Sequence, residues 1–166
     1  MSVPVQFERL MDYIAHERGK WRVWLEADPS RLRLPFQPGG RFPTVNDLID
    51  HVFWVERRHL SRLQGVPLPE KTGVAAGDIA GLFEYAERAH ADLRDYVAGL
   101  SDEQANEIMS FTIPTGPVSG ARGKLALHIL LHEVRHMAQL AHTARLAGID
   151  PPGHHDYFMF PDSVSV

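Results

Sequence analysis

Three histidines carry the strongest chemical signal in this sequence: His51 in one helical stretch, and the pair His132 and His136 in another. Helical residues follow one another at about 100° around the axis, so positions i and i+4 stand one above the other. Both rings of an HxxxH pair can therefore reach a single ion. A third ligand has to come from a different element. His51 shares its face with Leu48 and Val55, which turns its ring inward, where it could meet the pair. Three imidazole nitrogens around a divalent ion leave positions open to substrate, the layout of a catalytic rather than a structural site. Alternatives remain at this stage. HxxxH arises by chance in a chain with 10 histidines, and His51 taken alone is more often a hydrogen-bonded core histidine.

Neighbouring polar residues add secondary candidates. His128 lies one turn before His132 and competes with it for ligand duty. Gln139 falls on the same helical stripe, placed to orient a ligand histidine or a water on the metal. Arg58, about two turns beyond His51 on one face, could bind an anionic cosubstrate, although such an arginine is more often solvated or ion-paired. His59, His90 and His142 read as surface histidines, and His154-His155 as a loop pair near the chain end. Trp21, Trp24 and Trp54 read as core or interface aromatics, with Trp54 a candidate for lining the cleft.

Composition limits the chemistry further. With no cysteine among 166 residues, disulfides, thiolate ligands and a cysteine nucleophile are excluded, so any thiol reaction must draw its sulfur from a small molecule. A net charge of −4, spread without a basic block, argues against nucleic acid as a partner. No apolar run approaches the roughly 20 residues of a membrane span, and MSVPVQFERLMDYIAHERGK lacks a signal-peptide pattern. The expectation is a cytoplasmic protein without a membrane partner.

The elements that must hold these histidines are helices. Phe7, Leu10, Met11, Ile14, Trp21 and Leu25 recur at helical spacing up to a break at Asp28-Pro29. Thr44 followed by Asp47 suggests an N-cap, opening a second helix that runs to Gln64 and stops at Gly65. Ile79, Leu82, Phe83, Ala86, Leu93 and Val97 mark a third, ending near Gly99. Phe111 to Pro117 alternates only briefly and reads as an extended stretch or short hairpin. The last helix begins near Gly120 to Arg122, runs to Leu146, and has Gly148 as its C′ residue. Outside its histidine stripe that helix is nearly apolar, so most of it should be buried. The pattern predicts an all-α, up-and-down four-helix bundle forming one domain over residues 1–166. Its cleft should be built from the loops Pro35 to Pro43, Val66 to Gly77 and Phe111 to Gly123.

The segment Asp50-His51-Val52-Phe53-Trp54-Val55-Glu56-Arg57-Arg58 resembles the first histidine motif of the DinB/YfiT-like family of four-helix-bundle metalloproteins. Leu127-His128-Ile129-Leu130-Leu131-His132-Glu133-Val134-Arg135-His136-Met137-Ala138-Gln139-Leu140 resembles its second, an HxxxH followed three residues on by glutamine. The exit Leu146-Ala147-Gly148-Ile149-Asp150-Pro151-Pro152 is similar too, so the resemblance spans nearly the whole chain. It implies that His51, His132 and His136 are the metal ligands, which leaves His128 as a contact to those ligands or to substrate, beside Gln139 and Arg58 read above from their positions. It also implies a divalent transition metal, with zinc or nickel favoured and iron an option. Relatives in that group include small-thiol-dependent S-transferases and a maleylpyruvate isomerase. The implied function is a thiol-dependent transferase acting on a small molecule; the alternatives are a metal-dependent hydrolase and a non-catalytic, stress-related binding module. A homodimer through helix faces is compatible with such a bundle. Two departures stand out: Arg135 where the family commonly has a second histidine, and Ala138 where it has glycine.

Overall fold

The computed structural model describes residues 7–161. Four long helices, α1 (Phe7–Ala27), α2 (Val45–Gln64), α3 (Ile79–Ala98) and α5 (Arg122–Leu146), pack as a bundle. A short helix, α4 (Asp102–Asn106), and an antiparallel hairpin of β1 (Ile108–Ile113) and β2 (Gly116–Ala121) precede α5. The helix boundaries follow local chemistry. Thr44 and Asp47 form a reciprocal capping box that opens α2, and Gly65, at φ 69°, takes the left-handed conformation that closes it. Asp78 accepts the backbone N–H of Gly81 to start α3. At the end of α5 the chain reverses through Gly148, also left-handed at φ 73°.

Two apolar clusters fill the bundle. Trp21, Leu25, Leu48, Phe53, Leu82, Phe83 and Leu140 belong to one; Met11, Ile14, Leu60, Leu63, Leu93, Ile129 and Leu130 to the other. Their membership gives the helix directions. The first cluster holds the starts of α2 and α3 and the ends of α1 and α5, so α2 and α3 run the same way and α1 and α5 run opposite to them. The four-helix bundle predicted from periodicity is present. Its connectivity differs from strict up-and-down alternation at one link, where residues 65–78 cross back along the bundle before α3 begins. That crossover is tied to the side of α2: Thr72 donates to Asp50, Trp54 donates to the carbonyl of Pro69 at 2.9 Å, and Gly77 N–H reaches Asn46 Oδ1 at 3.2 Å.

Between the two apolar clusters lies a buried polar layer. Arg18 of α1 donates through Nε to Glu133 of α5 at 2.6 Å, through a terminal nitrogen to Glu56 of α2 at 2.5 Å, and through the other to the carbonyl of Ala86 of α3 at 3.0 Å. His90 of α3 completes the layer, 3.3 Å from Glu56 and 3.0 Å from the carbonyl of Met11. All four side chains are buried, so His90 is a core residue and not the surface histidine its sequence context suggested. Burial pushes both carboxyls up. At Glu56, Arg18 and His90 outweigh it and hold the group below its usual range, whereas at Glu133 burial and the charge of Glu56 win and the group stays above it.

The segment after α5 returns across α1. His155 bonds Glu17 at 2.5 Å and stacks on Trp21, while Tyr157 and Phe160 pack edge-on against Tyr13. The loop pair therefore has one fixed member, His155, and one exposed member, His154. On α5 the expected burial is incomplete, since Leu127, Leu131 and Leu146 are exposed. No helix among the described residues is long and apolar enough to cross a membrane.

Removing Arg18 leaves two buried acids without their cation. Arg18→Ala should cost about 3–5 kcal/mol of unfolding free energy, read by denaturant titration; a loss below about 1 kcal/mol would show that the layer is not integral to the fold.

Candidate metal centre

His51 enters from α2 and His132 and His136 enter from α5, and one ring nitrogen from each lies within 4.8 Å of the other two. The His51 ring centre is 5.4 Å from each of the other two, which are themselves 4.4 Å apart. The Nε2 atoms of His132 and His136 are separated by 3.1 Å. That is close to the roughly 3.3 Å edge between two nitrogens bonded at about 2.0–2.1 Å to one tetrahedral ion. The donor set is nitrogen only, which suits zinc, nickel, iron or copper rather than magnesium or calcium.

Two features suit these rings to coordination. Burial, reinforced by the neighbouring imidazoles, pulls His132 down to about 2; burial, then His136 and Arg41, pull His51 to about 4, and burial lowers His136 as well. All three are neutral at pH 7, the form that coordinates metal. In addition, Gln139 Oε1 lies 2.6 Å from His136 Nδ1. The amide oxygen can only accept, so the ring proton sits on Nδ1 and the Nε2 lone pair is left facing His132. Arg135 also approaches that lone pair, at 3.4 Å. Its side chain is exposed, so it can withdraw without breaking a packed contact.

The remaining candidates are placed less centrally. His128 is exposed and stands outside the converging trio, its ring 5.8 Å from that of His132 and 5.5 Å from that of His59. Arg58 lies over the Trp54 ring at 4.7 Å, its Nε buried without a hydrogen-bond partner. Trp54 flanks His51 at 6.3 Å, and Phe42, from the proline-rich loop, stacks on His51 at 4.3 Å. His59 is not a free surface histidine: it is partly buried, and burial first, then Arg62, pull it down to about 3. His142 is exposed as expected. All three anticipated loops contribute. Arg41 and Phe42, with Glu70 and Lys71, border a charged depression of about 290 Å³ beside His51, and the hairpin roofs a separate one beside His128.

What sequence reading missed was the support beneath the three histidines. Glu133 follows His132 directly and Glu56 lies five residues after His51, so the buried polar layer is anchored on the same two helices as the trio. The signal was available. Glu56 interrupts the apolar series Val52, Phe53, Leu60 and Leu63, and Arg18 interrupts Met11, Ile14, Trp21 and Leu25.

A helical bundle with imidazoles converging from two facing helices is an arrangement that could hold a metal ion. The profile of the DinB family matches residues 1–163, and the chain belongs to that family. Among solved structures, YfiT from Bacillus subtilis is similar, at 21% sequence identity and a TM-score of 0.57, over 90% of this chain and 94% of that one. It is described as a probable metal-dependent hydrolase with an unusual four-helix bundle topology. At that identity the likeness speaks for the fold. No curated protein matches.

Gln139→Leu removes the acceptor that fixes the His136 tautomer while leaving every ring in place. Metal affinity should fall about 10- to 100-fold, measured by competition against a chromogenic chelator, with thermal stability of the metal-free protein little changed. Unchanged affinity would remove Gln139 from the centre.

Proposed function

We propose that this chain, acting as one domain, is a divalent-metal-dependent enzyme whose ligands are His51, His132 and His136, and that it transfers a small thiol to a small-molecule acceptor. The observation that carries the metal reading is the convergence of three neutral imidazoles from two helices, with one ring's tautomer set by Gln139. A divalent ion held there would supply Lewis acidity, lowering the proton affinity of a bound water or thiol. Zinc or nickel is the favoured ion and iron the next.

The protein's own groups do the rest. His51, His132 and His136 give three nitrogens and leave the remaining approach unobstructed by a fourth side-chain ligand among the described residues. Phe42 and Trp54 pack beside the His51 ring. Transfer between two molecules is favoured by the two separate depressions, one charged beside His51 and one largely apolar beside His128. Hydrolysis is the second reading, supported by what is printed of YfiT. We place the protein in the cytoplasm, and a homodimer would use the exposed Leu127 and Leu131 face of α5.

Protein purified without a histidine tag should carry about one ion per chain by elemental analysis, and His132→Ala should abolish it. The metal-loaded enzyme should then consume an electrophilic acceptor only when a low-molecular-weight thiol is added. Turnover of an ester or amide without thiol would replace transfer by hydrolysis; a metal-free protein indifferent to His132→Ala would end both readings.

A further inference from the structure

We propose that the depression beneath the β-hairpin is the substrate subsite of the three-histidine centre, and that it takes a small molecule with an apolar body and a separate anionic group. The inference rests on the metal-dependent reading above.

The alternation of the hairpin builds this site. Met109, Phe111 and Ile113 of β1, with Val118 and Gly120 of β2, project to one half-buried side, while the intervening residues face solvent. Paired in register, Phe111 opposite Val118 and Met109 opposite Gly120, they form a roof over Leu125 and His128 of α5 and His59 of α2. The depression, about 350 Å³, falls within the range of small-ligand sites. Its walls are chiefly hydrocarbon and aromatic, which selects an apolar occupant.

The space adjoins the three histidines through His128. His59 and His128 both line it, and their rings are 5.5 Å apart. The His128 ring is in turn 5.8 Å from that of His132. A molecule lodged under the hairpin therefore meets the trio past a single imidazole. His59 also offers a fixed donor. Arg62 reaches its Nδ1 at 3.1 Å, and a guanidinium can only donate, so the proton of the neutral ring sits on Nε2.

Charge sets the second half of the specificity. No carboxylate lines the space, whose one ionic lining residue is Lys124. Arg62 covers Phe111 at 4.4 Å from its ring centre, and Arg58 lies one turn earlier on α2. None of Lys124, Arg58 and Arg62 has an acidic partner within ion-pair distance among the described residues, whereas most other arginines of the molecule do. Three cations without acidic partners beside an apolar space favour an anionic occupant and disfavour a cationic one.

The test uses zinc-loaded wild-type protein and three hydroxamates whose head groups bind metal: acetohydroxamate, octanohydroxamate and suberic acid monohydroxamate. A fourth, 8-amino-octanohydroxamate, carries the opposite terminal charge. Each methylene entering the apolar space should tighten binding roughly threefold, so the octanoyl compound should bind at least about thirtyfold more tightly than the acetyl one. The carboxylate-ended compound should bind at least about tenfold more tightly than the amine-ended one at low salt, with the gap narrowing as salt is raised. If acetohydroxamate binds but affinity is indifferent to chain length, or the amine-ended probe binds as well as the carboxylate-ended one, the subsite is overturned while the metal centre stands. If acetohydroxamate fails to bind at all, the metal reading itself fails and the subsite falls with it.

Discussion

One buried guanidinium holds this bundle in register. Arg18 touches α2, α3 and α5 from its place on α1, using geometry that only a planar fork of N–H donors provides. Desolvating it is costly, and two carboxylates and a backbone carbonyl are what make that tolerable. An apolar interface would let helices slide by a turn at small cost. A fork of directional bonds does not, since displacement would strand a charge in the core.

The trio of histidines inherits that registration. Glu133 belongs to the same turn as His132, and Glu56 is little more than a turn beyond His51. Where Arg18 fixes these acids, it fixes how far α2 and α5 are displaced along one another, and so whether an imidazole from one helix stands opposite a pair from the other. Coordination geometry tolerates errors of only a few tenths of an ångström. The polar layer is thus the reference against which the three imidazoles are positioned, although none of its members hydrogen-bonds to them.

The sequence made the helices and the trio legible because both express a single period. Apolar residues at helical spacing delimit α1, α2, α3 and α5 to within a few residues, and His132, His136 and Gln139 share a stripe for the same reason. Capping at Thr44 and termination at Gly65 and Gly148 were readable as local chemistry. Helix direction was not. Nothing in the composition of residues 65–78 distinguishes a tight turn-back from a crossover, since loops of both kinds are rich in glycine and proline. His59 and His90 were misplaced for a related cause: a lone polar residue inside an apolar stripe reads as an edge of the stripe until its partner on another helix is known. The hairpin was seen at its tip, and its extension to Ile108 and Ala121 depends on pairing that weak alternation does not announce.

The parallel arrangement of α2 and α3 also bears on how the molecule assembles in time. Helices joined by short loops can pair as antiparallel hairpins early, through contacts between nearby residues. Here the chain segment between α2 and α3 must traverse the bundle, and the antiparallel helix that α2 packs against most extensively is α5, the last long helix to emerge. Loop closure over that span carries an entropic cost before any packing offsets it. The imidazoles of α2 and α5 are therefore brought together by a long-range contact, one that can form only after the last long helix has emerged.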